Sequence, residues 1–157
     1  MNLYLLVRQT HVLSMVVSLV LAVIAEAVLL RAARMGQGEQ IAYLSRVAER
    51  VLKGSDLTRF LGFLAGIGLV IIGGWNPFAP WLVAAYGIFI LMDVVGRVGT
   101  RPWQRQFQGM LAHADGAAMS DLRGLIAEPR AMLARWSIVA LLLVVMVLMR
   151  QKPSFGL

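Results

Sequence analysis

The sequence of 157 residues contains no cysteine. That absence removes disulfides, thiolate metal sites, iron–sulfur ligation and cysteine nucleophiles together. Charge is scarce as well, since Asp, Glu, Lys and Arg make up 15% of the chain, and histidine occurs only twice. The pattern assembles no phosphate-cradling loop, no nucleophile beside a base, no carboxylate pair in a polar setting and no metal-ligand cluster. The glycines at 66–74 sit in the apolar run GIGLVIIGGW and make no nucleotide motif. An enzyme therefore finds no support in the pattern.

What is there is apolar. Hydrophobic residues form 59% of the chain, a share that would leave a soluble domain covered in exposed apolar surface, so lipid is the expected solvent. Four apolar runs predict an all-α fold, a four-helix transmembrane bundle in one domain over 1–157, with spans at about 8–31, 57–75, 80–97 and 130–150. Between the first two, Ile41, Leu44, Val47 and Val51 recur opposite Glu39, Arg46, Glu49, Arg50 and Lys53. This spacing predicts an amphipathic helix on the membrane surface, ended by Gly54, with Ser55 or Asp56 capping the next helix. Over 98–128, Trp103, Phe107, Met110 and Leu111 share one helical face and Met119, Leu122 and Ile126 another, which predicts two interfacial helices broken around Gly116. Gly74 to Pro80 reads as a tight turn, and Pro129 suits the first position of the last helix.

The net charge of +7 invites a nucleic-acid reading, but the basic residues flank the apolar runs, and topology accounts for them without a nucleic-acid partner. Arg31, Arg34, Arg46, Arg50, Lys53 and Arg59 flank the first long loop, and Arg97, Arg101, Arg105, Arg123, Arg130 and Arg135 the second. Arg8, Arg150 and Lys152 lie on the other side. The positive-inside rule then places both long loops in the cytoplasm and both termini outside. Tryptophans prefer the membrane boundaries, and the reading puts Trp75 and Trp81 at the outer one and Trp103 and Trp136 at the inner one.

Close helix contact in lipid relies on small residues that let backbones approach. Ser14, Ser18 and Ala22 repeat every four residues in the first span, while Gly62 and Gly66 form a GxxxG in the second. These ridges predict close packing of the first two spans; the alternative has the glycine ridge facing another chain, in a homo-oligomer or against a different subunit. At the inner boundary, Glu26 and Asp93 fall near Arg31, Arg59 and Arg97, and Asp93 with Arg97 has i,i+4 spacing. Structural ion pairs are the simplest reading. A proton or ion path needs polar groups through the membrane, where only Ser14, Ser18 and Tyr86 stand.

At the outer boundary, Arg8, His11 and Met15 share a helical face, and Met146 and Met149 approach the same depth from the last span. Imidazole and thioether can ligate haem, and an arginine can hold a propionate or a quinone oxygen, so a haem b or quinone pocket is conceivable here. His113 falls in a cytoplasmic helix, and the two histidines cannot ligate one haem across the bilayer. The plainer alternatives are that His11 hydrogen-bonds at the boundary and that the methionines fill space.

With Thr10-His11-Val12-Leu13, Gly74-Trp75, Pro80-Trp81-Leu82 and Leu148-Met149-Arg150-Gln151-Lys152-Pro153 in view, the chain resembles a family of small bacterial four-span integral membrane proteins of unknown function. That family is distantly similar to four-helix membrane proteins that handle copper or haem, and the likeness implies a functional role for His11. The tryptophan-glycine-glycine stretch common later in such a first span is replaced here by Ser18-Leu19-Val20 and Ala22. The expected function is a non-enzymatic accessory or scaffold subunit of a larger respiratory or photosynthetic membrane complex, in contact with bound lipid and other integral membrane subunits. The alternatives are a haem- or quinone-binding redox protein using His11, and a small ion- or proton-coupled transporter using Glu26 and Asp93.

Overall fold

The structure is a computed structural model that describes residues 2–35, 38–112 and 118–151. The described residues are helical, without strands. They form α1 (Leu3–Arg34), α2 (Gly38–Ile72), α3 (Pro80–Val95), a π-helical turn (Gly96–Thr100), α4 (Arg101–Ala112), α5 (Ala118–Ile126) and α6 (Pro129–Gln151). Four stretches are long and apolar enough to cross a membrane: α1, α2, the continuous run Pro80–Ala112, and α6.

The helix ends follow local chemistry. Asn2 Oδ1 accepts from Tyr4 N–H at 3.1 Å and caps α1. At the end of α2, Gly74 takes the left-handed conformation with φ 61°, and Trp75 N–H reaches back to Val70 O at 3.2 Å. Pro80 and Pro129 open α3 and α6, where a missing N–H costs nothing.

α2 departs from the sequence expectation. The segment expected to be a separate surface helix is continuous with the second span, and neither Gly54 nor Ser55 interrupts it. Ser55 caps nothing. Its hydroxyl donates to Ser18 O at 2.8 Å while Ser18 Oγ donates to Ser55 O at 2.9 Å, so both polar side chains are satisfied inside the α1–α2 contact. With 35 residues α2 is about 52 Å long, well over the thickness of a hydrocarbon core. The third apolar run likewise passes through the π-helical turn into α4 with no break.

The continuation of these helices builds a core at one end. Leu29 of α1, Ile41 and Ala48 of α2, Trp103 and Phe107 of α4, and Leu122 and Ile126 of α5 bury one another there. Ile41 and Leu44 from the stripe of 39–53 and Trp103, Phe107 and Leu111 from that of α4 join this cluster, so part of each stripe is buried within the protein. Gly116 and His113 lie outside the described residues.

At the level of the apolar spans the packing is different. Here α1 packs against α2 and α6, and α6 packs against α3, so the spans stand in the order α2, α1, α6, α3. The ring is left open between α2 and α3, whose contact at this level is the edge-to-face pair Phe63–Phe89, with centroids 5.4 Å apart. Met15, Ala85, Met92, Leu142 and Val145 fill the centre.

Candidate functional site

The opening between α2 and α3 leads into a cleft of about 720 Å³. Its apolar wall comes from Phe60 and Phe63 on α2 and from Tyr86, Phe89 and Ile90 on α3. Its other end is polar, with Asp56 and Arg59 from α2, Asp93, Arg97 and Arg101 from α3 to α4, and Glu26 and Arg135 at the back. The sequence places these residues along two helices in the same order, apolar towards the α2–α3 turn and charged towards the α4 end.

At the back of the cleft, Arg135 Nε donates to Glu26 Oε1 at 2.7 Å, and the two side chains are 6% and 2% exposed. The guanidinium is held on three sides. It lies 4.3 Å over the Trp103 ring, its Nη2 donates to Ile126 O at 3.4 Å, and Trp103 is itself stacked on Phe107 at 4.7 Å. Trp103 Nε1 donates to Leu125 O at 2.8 Å, so the indole is fixed by α5 as well. Two charges withdrawn from solvent require such pairing, and the planar guanidinium suits both a carboxylate and an aromatic face. Glu26 Oε2 and Arg135 Nη1 are buried and without a hydrogen-bond partner among the described residues. The pair joins α1 to α6, the two most closely shielded spans.

The π-helical turn brings α6 near enough for this. A Cβ placed on Gly99 would stand 2.6 Å from the Ala134 Cβ, so only glycine permits the approach beside Arg135. π-helical turns concentrate at functional sites, and this one lines the cleft through Gly96, Arg97 and Thr100.

The sequence-derived candidates are dispersed. Glu26 pairs with Arg135; Asp93 at the end of α3 pairs with Arg97 of the π-helical turn at 2.7 Å, and Arg59 pairs with Asp56 one turn earlier on α2. All of these border the one cleft, but no ion pair joins Glu26 or Asp93 to Arg59. Ser14 and Met15 pack on Gly62, where a Cβ would come within 2.8 Å of the Met15 sulfur. Ser18 meets Ser55, and Ala22 is buried and lines the cleft.

His11 lies inside the α1–α2 contact. Its Nδ1 donates to Gly62 O at 2.7 Å, and its ring rests against Gly66, where a Cβ would stand 3.0 Å from Cε1. Arg8 is exposed, and Arg8, His11, Met15 and Met146 do not line the α2–α3 cleft. The structure thus gathers His11 with the glycine ridge. Trp75 and Trp81 meet edge-to-face at 5.4 Å beside Tyr4, at the end opposite the charged cleft. Trp136 is exposed on α6, whereas Trp103 is 3% exposed in the end core.

Sequence reasoning counted Arg135 among loop-flanking residues and missed its pairing. The available signal was its place almost two turns inside α6, among Ala131, Leu133 and Val139. No family model, no curated protein and no solved structure matches this chain. Its function has to be argued from its own geometry.

Proposed function

We propose that the protein is a non-enzymatic accessory subunit of a larger bacterial inner-membrane assembly. In this reading both termini are outside, and the end core built by α4, α5 and the extension of α2 lies in the cytoplasm. One observation carries the reading: the spans are sparingly packed on themselves. Only 17% of the residues in the most apolar windows of α2 and of the α3–α4 run are buried, against 28% in α1 and α6. The outer faces of α2 and α3 are apolar through Leu61, Leu64, Ile71, Val83, Leu91 and Val94, all exposed, and they offer lateral surface to neighbouring subunits. The distribution of basic residues supports the orientation.

Mild detergent extraction followed by native electrophoresis tests the assembly. The chain is expected to migrate far above a 17.2 kDa protein in its micelle; a lone monomer in several detergents overturns the proposal. Because the chain has no cysteine, single introduced cysteines report orientation. Arg105→Cys should react with a membrane-impermeant maleimide only in inverted vesicles and Asn2→Cys only in intact spheroplasts.

A further inference from the structure

The cleft between α2 and α3 has a chemistry of its own, which accessory-subunit function does not require. It is open to the side, in the direction of the surrounding lipid, because α1 and α6 close the bundle only from behind. One end is apolar and aromatic, roofed by the Phe63–Phe89 pair. The other end carries Arg59, Arg97, Arg101 and Arg135 against Glu26, Asp56 and Asp93, four guanidinium groups to three carboxylates. One positive charge is left over.

The donors are also left over. Arg97 uses Nε on Asp93, and Arg59 uses one Nη on Asp56, which leaves the remaining N–H groups of each fork for another acceptor. The Asp93 and Arg97 side chains are 51% and 62% exposed, so this pair stands at the cleft mouth where a ligand can reach it. Asp56 and Asp93 hold their arginines by i,i+3 and i,i+4 contacts and so aim them before any ligand arrives. Guanidinium forks match the oxygens of a phosphate two at a time. A free inorganic anion would use only the charged end and would leave the aromatic wall without an occupant. A phospholipid uses both ends.

We propose that the α2–α3 cleft is a binding site for one anionic phospholipid, with its phosphate among Arg59, Arg97 and Arg101 and an acyl chain along Phe60, Tyr86 and Ile90. The charged end stands about two turns of helix beyond Tyr86, which is the level of the headgroups when the aromatic end lies in hydrocarbon. The site rests on the membrane setting of the proposed function but not on the assembly or on its orientation. The buried Glu26–Arg135 pair forms the rear wall. Volume agrees, since 720 Å³ holds a headgroup and part of one chain, not a whole partner helix.

The test is lipid retention by the purified full chain in a non-ionic detergent, counted by native mass spectrometry after titration with dioleoyl phosphatidylglycerol or dioleoyl phosphatidylcholine. The wild type should retain one phosphatidylglycerol about tenfold better than phosphatidylcholine, and Arg97→Gln/Arg101→Gln should remove about tenfold of that preference. Arg150→Gln, at the far end of α6, should leave it unchanged. Ile90→Trp fills the cleft without altering charge and should also reduce retention, which keeps the test decisive if the double variant folds poorly. Equal retention of the two lipids by the wild type overturns the proposal, as does full retention by both cleft variants. Photo-crosslinking from position 86 to a co-purifying polypeptide, with no phospholipid retained, overturns it in favour of a partner helix. A monomer that still selects phosphatidylglycerol would defeat the accessory-subunit reading and leave this one standing.

Discussion

The two cores of this protein are built from different materials. At the α4–α5 end, Trp103, Phe107, Leu29, Leu122 and Ile126 interlock around a buried ion pair. Between the spans, Met15, Ala85, Met92, Leu142 and Val145 fill the centre without a buried aromatic ring, and the α1–α2 contact depends on Ser18, Ser55, Gly62 and Gly66. Large aromatic side chains gain most where burial removes them from water. In lipid that gain disappears, and helices associate through close backbone approach and satisfied polar groups. The contrast is the one expected of helices that run from hydrocarbon into water, and it teaches that α2 changes its packing chemistry along its length without changing its conformation.

Substitutions can break this comparison or sharpen it. The largest loss is expected at the ion pair: Arg135→Leu alone should lower stability by about 3–5 kcal/mol in micelles, because Glu26 is left buried without its partner. The double variant Glu26→Leu/Arg135→Leu should be less damaged than either single change, which a thermal or denaturant unfolding series would show. Phe107→Ala should cost about 3–5 kcal/mol, whereas Leu64→Ala, on an outer face of α2, should stay within about 0.5 kcal/mol. Equal losses at these two positions would erase the distinction between the cores.

The span contact should fail through crowding. Gly62→Val places atoms against Met15 and should cost about 1–3 kcal/mol, partly restored by Met15→Ala in the same chain. Within this contact a smaller effect is expected from Ser55→Ala, about 0.6–1.7 kcal/mol, since hydrogen bonds between helices in a bilayer are worth little more. A cost well above this would mean that the serine pair, and not the glycine ridge, holds α1 on α2.

Much of the arrangement was legible. The four apolar runs, the proline openings of α3 and α6 and the turn at Gly74 depend on neighbouring residues, and the structure has them close to where the pattern puts them. The separation of 39–53 from the second span was misread, because Gly54 and Ser55 are common at helix ends and the distant Ser18 that satisfies Ser55 is invisible in a local window. The burial of Trp103 against Phe107 was not legible for a related reason: an amphipathic stripe looks the same whether it faces a bilayer or another helix. The candidate cleft was legible only as scattered charges. Glu26 and Arg135 are 109 positions apart, and nothing in the order of residues says that α6 stands between α1 and α3.

By itself, then, the sequence determined the helical segments and which four stretches are long and apolar enough to cross a membrane, since hydropathy, caps and prolines act over a turn or two of chain. Tertiary structure alone decided that α2 stays unbroken, that Arg135 answers Glu26, and that the ring of spans is left open between α2 and α3. Those outcomes depend on which helix faces meet in space, and a linear pattern records the faces but not the meetings.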